Sequence, residues 1–189
     1  DYNDVYTYSY DYSSYSRSID GYDAEGQLTS AIQYVTMEAS ELPVIYQVTG
    51  HGETALSGNF TEAIEKANIT LSDLTLLKED AIPEDAAALI INGPVNDFSE
   101  DDANKVIDYI NQGGKVLITC NFQAEELTNF DTILSACGMS RVSGVVMEND
   151  KSYYYGDTPY YLLPIVKSAS YTDSVANSYV FAPYSVGIT

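Results

Sequence analysis

His51 is the single histidine among 189 residues, so any acid–base or nucleophilic scheme that needs an imidazole must use it. It stands in the word Gly50-His51-Gly52-Glu53, directly after an apolar run, with the Glu53 carboxylate two positions on. With Ala55 the same word fits G-x-G-x-x-A, in form a dinucleotide fingerprint. A phosphate there would meet Glu53, and no Lys or Arg lies within ten residues of the loop. The favoured reading is therefore a tight strand-to-helix turn whose glycines supply the backbone angles.

Cys120 closes another apolar run, the position where an amidotransferase-like enzyme carries its nucleophile. Such enzymes take their base from a histidine downstream, and none follows residue 51. The flanking Thr119 and Asn121 also lack the glycines of a nucleophile elbow, so a buried thiol is expected. Zinc would have to recruit His51, Cys120 and Cys137. A helix of about 13 residues between the two cysteines holds them roughly 20 Å apart, which excludes a shared metal and also a disulfide. The acidic groups Glu84-Asp85, Glu100-Asp101-Asp102 and Glu125-Glu126 begin or precede helices, where carboxylates are already favoured, and none forms a D-x-D-x-D-G calcium loop. Neither a metal nor any other cofactor is expected.

Charge narrows the partners. With 28 Asp and Glu against 8 Lys and Arg, the formal charge is −20. The basic residues never cluster, which argues against nucleic acid and against anionic membrane surfaces. At 45% hydrophobic residues the chain is too apolar for a disordered acidic tail and long enough for a compact domain. No apolar run approaches the roughly 18 residues of a membrane-spanning helix. The start at Asp1, without Met or a signal peptide, reads as that of a piece cut from a longer chain, so membrane attachment would come only through segments outside it.

The elements that must position these residues follow from periodicity. Tyr6, Tyr8, Tyr10 and Tyr12 alternate with polar residues, the pattern of a strand with one aromatic face. Leu28, Ala31, Ile32, Val35 and Ala39 recur at helical spacing, predicting a helix over about 24 to 40 before Pro43. Apolar runs at 44–49, 74–77, 88–92 and 115–120 read as buried strands, and 142–148 resumes strand character. Between them, Asn59 with Glu62 marks a helix start, Ser99 with Asp102 opens the clearest helix, and 124–137 gives another. Strands alternating with helices predict an α/β fold: a mainly parallel sheet with helices on both faces, in a flavodoxin-like or class I amidotransferase-like three-layer architecture. Residues 1–23 then form a Tyr-rich strand segment, 24–150 the α/β core, and 151–189 an irregular aromatic segment packing on it, with a possible edge strand near Tyr179 to Ala182. In such a sheet the loops after residues 49, 92 and 120 open on one carboxyl edge. They carry His51, Gly52 and Glu53, then Asn92, then Asn121, the candidate ligand or partner contacts.

The ordered words EGQLTSAIQYVT (25–36), VIYQVTGHGE (44–53), IPEDAAALIINGP (82–94), YINQGGKVLI (109–118) and CGMSRVSGVVMEND (137–150) resemble the gliding-motility-type auxiliary domain of ABC transport systems, over roughly residues 24–170. The resemblance implies an amidotransferase-like fold without the catalytic residues. It also implies an extracytoplasmic domain of a membrane-anchored protein, beside an ABC-2-type permease and its ATPase, and a noncatalytic role in binding a partner or a protein or glycan cargo. Two other functions are consistent with the residues: an amidotransferase-like hydrolase using His51 and Glu53, and a periplasmic-type small-molecule or glycan-binding module.

Overall fold

A computed structural model describes residues 5–189 apart from 12, 38–41, 124, 171 and 179, with Asp20 and Ser174 described by their backbone alone. The expected contributions of Tyr12, Ala39 and Tyr179 lie outside the described residues.

The N-terminal hairpin joins β1 (Tyr6–Asp11) to β2 (Ser16–Tyr22) in antiparallel register, Tyr8 opposite Ile19 and Tyr10 opposite Arg17. The Arg17 guanidinium sits 3.4 Å over the Tyr8 ring, a cation–π contact that gives the tyrosine face a local partner. Helix α1 (Ala24–Thr36) follows, then β3 (Val44–Val48), α2 (Gly58–Lys66), β4 (Thr70–Leu74), β5 (Ala86–Asn92), α3 (Glu100–Asn111), β6 (Val116–Thr119) and α4 (Thr128–Ala136). Strands β3 to β6 form one parallel sheet in the order β4-β3-β5-β6. Beyond it lie two short antiparallel pairs: β7 (Arg141–Val142) with β10 (Gly187–Ile188), and β8 (Tyr161–Leu162) with β9 (Ala182–Pro183).

The core is one-sided. Tyr46, Val48, Leu89, Ile91, Val116 and Ile118 turn one face of the sheet toward Ala103 and Val106 of α3 and Phe130, Ile133 and Leu134 of α4. The opposite face is thin and partly polar. There Gln47 of β3 donates to Asp73 of β4, and Leu117 of β6 is 47% exposed. Ile90 and Ile64 of α2 are its buried apolar members. This corrects the expected three-layer sandwich: the fold is mixed α/β, a four-stranded parallel sheet with several small antiparallel sheets and four helices among the described residues. A sheet whose second face carries Gln47 of β3 and Asp73 of β4 has too little apolar surface there to hold a full helical layer.

Three local expectations also shift. The run at 74–77 is not itself a buried strand. β4 ends at Leu74, and Leu76–Lys78 is a 3₁₀ turn that inserts Leu76, fully buried, beneath α3. Helix α2 is capped by Ser57, whose hydroxyl accepts from the Phe60 N–H, and not by Asn59. The strand expected over 142–148 shrinks to Arg141–Val142, because Ser143 and Gly144 turn the chain out of register, Gly144 at φ +106°. The Ser99 cap stands as read: its hydroxyl accepts from the Asp102 N–H at 3.0 Å.

Candidate functional site

The loops that leave β3 and β5 meet where the connections of the sheet diverge, β3 leading outward to β4 and β5 leading the other way to β6. In open α/β sheets that divergence leaves a crevice for ligands. Here the chain fills it. The His51 carbonyl accepts from the N–H groups of Val95 and Asn96 at 3.0 and 2.9 Å, and the Thr54 N–H donates to the Asn92 carbonyl at 2.8 Å. The Asn92 side-chain amide returns to the Thr54 carbonyl at 2.7 Å, and its oxygen accepts from the Thr119 hydroxyl at 2.8 Å. The strap from residue 50 to 54 is thus stitched across the β5 terminus.

Glycine is required at one point of this strap. Gly52 adopts φ +74°, and an added Cβ would strike the Val95 side chain. Both the backbone angle and the close approach exclude larger residues there.

His51 turns inward from the strap and is 8% exposed. Its ring lies flat on Phe98, centroids 3.7 Å apart and planes 6° from parallel. Nδ1 is 3.0 Å from Glu53 Oε1, while Glu53 Oε2 accepts from the His51 N–H at 2.8 Å. On the other side of the ring Nε2 lies 3.6 Å from Asp102 Oδ2, an ion-pair distance rather than a hydrogen bond. Asp102 is in turn 3.4 Å from Lys105 Nζ, which donates to the Leu76 carbonyl and pairs with Asp101. The charges alternate along the line Glu53, His51, Asp102, Lys105, Asp101. Burial pushes the imidazole toward its neutral form, but the bonds and charges of Glu53 and Asp102 outweigh it and raise its pKa above the ordinary value. Burial favours the neutral form of Glu53 too, raising its pKa, and is likewise outweighed: bonding to His51 and to backbone N–H groups holds its pKa below the usual range.

An imidazole with a carboxylate facing each nitrogen and an aromatic ring against its face presents neither nitrogen openly to a substrate. The arrangement ties the strap to the first turn of α3. Phe98 continues the junction to Phe130 of α4, 5.9 Å away. Asp97, the residue before it, accepts from the Asn129 and Phe130 N–H groups at 3.0 and 2.9 Å, capping α4 from outside because Leu127 has no side chain to do so.

Of the five residues singled out from the sequence, His51, Gly52, Glu53 and Asn92 come together, though His51 and Glu53 face α3 while Asn92 holds the strap from β5. Asn121 stands apart, pressed over Gly93 and bridged to Ser185. Two cavities, of about 490 and 460 Å³, are lined by none of the five. The larger opens beyond the Asn121 loop among Phe122, Gln123, Glu126, Asp131 and Arg141. Its cation is occupied: Arg141 meets both Asp131 oxygens at 2.6 and 3.0 Å. Cys120 packs against the core, and burial pushes its thiol pKa up, away from the reactive thiolate.

Asp102 and Phe98 escaped the sequence reading. Its place in the first turn suits Asp102 to the helix dipole, yet it lies one residue before Ala103 and four before Val106, on the inward stripe of α3, and an acid on a buried stripe needs a partner.

No family model matches this chain, and no curated protein matches it in sequence. Among solved structures it is similar to one described as the mmIFT52 N-terminal domain, with a TM-score of 0.57 and 14% identity over 77% of this chain and 68% of that one. At that identity the likeness is one of fold. It overturns the resemblance to the ABC-transport auxiliary family, whose words (the Gly-His-Gly-Glu turn, the helix of 25–36) are separately common and owe their order here to the α/β alternation.

Proposed function

We propose that this chain is a noncatalytic protein-binding domain. The observation that carries the reading is the state of its only imidazole: buried, stacked on Phe98, and bracketed by Glu53 and Asp102. The hydrolase alternative needs that ring as a base with one nitrogen open to substrate, whereas a carboxylate faces each nitrogen of a residue that is 8% exposed. A surface carrying −20 and many exposed tyrosines is suited to contact with a protein, since Tyr contributes apolar area and a polar tip at small entropic cost.

The test is turnover of chromogenic ester, amide, glycoside and phosphoester substrates by the wild type and by His51→Asn, at a temperature where both are folded. The expected result is no turnover by either. Turnover that the substitution abolishes would overturn the reading. A small-molecule module is the second reading, favoured by the 490 Å³ cavity beside Arg141; it predicts a ligand-dependent rise in Tm that Arg141→Ala removes.

A further inference from the structure

The strap over the crevice is held without aliphatic side chains. It consists of Gly50, His51, Gly52, Glu53 and Thr54, none of them in a helix or strand, and His51 is its one buried residue. Segments with few buried apolar contacts are the first to open locally. What closes this one is the pair of Thr54–Asn92 bonds at one end and, at the other, the His51 ring with its Phe98 stack and its two carboxylates.

Those two carboxylates sit on unlike supports. Glu53 belongs to the strap, where Gly50 and Gly52 adopt φ +121° and +74° and give the chain points about which to pivot. Asp102 belongs to the first turn of α3, fixed by the Ser99 cap and by the burial of Ala103 and Val106. Among the described residues the charged groups that meet the ring are Glu53 from the strap and Asp102 from α3, the latter backed by Lys105 and Asp101. The loop after β5 brings the Phe98 ring and the Val95 and Asn96 N–H groups, all uncharged. Asp97 in that loop uses both oxygens on the Asn129 and Phe130 N–H groups.

With both nitrogens protonated the ring can donate toward both carboxylates. With one proton it can serve one of them. The other, on a side chain 6 to 7% exposed, then faces a bare lone pair with a second negative charge beyond it. Helix α3 is anchored, so the relief available is motion of the strap, which carries the ring and Glu53 into water together.

We propose that the 50–54 strap is a proton-operated latch over the crevice, closed while His51 carries its second proton and swinging out on Gly50 and Gly52 when that proton leaves, with the sheet and α3 intact. The contacts of the closed state raise the ring's affinity for that proton. The latch is therefore fully shut below the ordinary value of 6.5 and loosens as pH rises through the folded pKa. Opening has a definite product. The His51 carbonyl occupies the Val95 and Asn96 N–H groups at 3.0 and 2.9 Å. Its departure frees that donor pair, and the Asn92 amide, at the carboxyl end of the sheet where open α/β sheets receive ligands. The strap is thus an autoinhibitory occupant of the crevice, whatever the chain binds elsewhere.

The test is amide hydrogen exchange of the whole isotope-labelled chain, corrected for intrinsic rates, between pH 6 and pH 8.5 and in urea below the unfolding transition. The His51 ring is titrated by NMR alongside. The expected result is that the Thr54, Val95 and Asn96 amides exchange through an opening insensitive to urea. Their protection falls by up to about tenfold per pH unit above 6.5 and levels off at the measured His51 pKa. The Leu89 amide of β5 exchanges through an opening that urea promotes. His51→Asn removes the pH dependence of the strap amides. Asp102→Asn, which keeps the ring and carries the test if His51→Asn fails to fold, narrows it. Val95 and Asn96 amides that share the protection and urea dependence of Leu89 would overturn the proposal, because the strap then opens only with the whole domain. Strap protection that is constant with pH, or a pH dependence unchanged in both variants, would overturn it as well.

Discussion

Helices α1 and α3 carry comparable apolar spacing, and the structure treats them oppositely. Helix α3 is capped by the Ser99 hydroxyl, opens with three acids and buries Asp102, Ala103 and Val106 against the sheet and α4. Helix α1 begins at Asp23 without a side-chain cap bond and buries nothing. A periodic stripe states that a helix has an apolar face; what covers the face depends on which elements the topology brings alongside. On the α3 side the sheet offers Val48, Leu89 and Ile91. On the α1 side the neighbouring surface offers the polar C-terminus of α2.

Substitutions can sharpen this contrast. The largest effect is expected where the covered face is densest: Phe130→Ala, in a fully buried position, should cost about 3–5 kcal/mol in urea unfolding. Next comes the junction that binds the strap to α3. His51→Ala leaves Glu53 and Asp102 buried without the imidazole between them and should cost about 3 kcal/mol. A His51→Ala chain as stable as wild type would mean that the imidazole is not the tie between strap and helix.

The same junction predicts a pH profile. The folded imidazole titrates above its ordinary 6.5, so its contribution is complete below that value and disappears as pH rises through the folded pKa. Glu53 titrates below its ordinary 4.5, so its contribution is complete above that value and disappears as pH falls through the folded pKa. Stability from the pair should therefore be greatest between those ordinary values and decline on both sides. Comparison of wild type with His51→Asn in urea between pH 5.5 and pH 9 isolates the alkaline limb, which the variant should lack.

Two smaller effects complete the comparison. Ser99→Ala should cost about 1 kcal/mol through the lost cap of α3, seen as a lowered urea midpoint. At the other extreme, Ile32→Gln on the open face of α1 should change stability by less than about 0.5 kcal/mol. A clearly larger loss at Ile32 would show that the α1 stripe is covered within the chain and would dissolve the contrast.

Much of the parallel sheet was legible because its central strands are continuous apolar runs bounded by glycine and proline. Residues 88–92 lie within β5 and 115–120 enclose β6. The strand at 74–77 was misplaced because Leu74 to Leu77 is apolar whether it runs extended or coils into a 3₁₀ turn, and four residues carry no period to separate the two. The aromatic C-terminal segment, residues 151–189, reads as irregular from the sequence alone. Its internal order, with Tyr161 edge-on to both Phe181 and Tyr184, comes from contacts across some twenty residues of sequence that no local pattern encodes.

By itself, the sequence determined the chain's charge, the absence of a second imidazole, the caps of its best helix and the alternation that yields a parallel sheet. These are properties of residues and of spacings within a few turns. Tertiary structure decided which way each face points: that Asp102 meets His51, that the strap closes the crevice, and that Leu28, Ile32 and Val35 look outward. Those outcomes depend on long-range packing, where the loss of one helical layer from the sheet leaves a stripe uncovered without altering a single local signal.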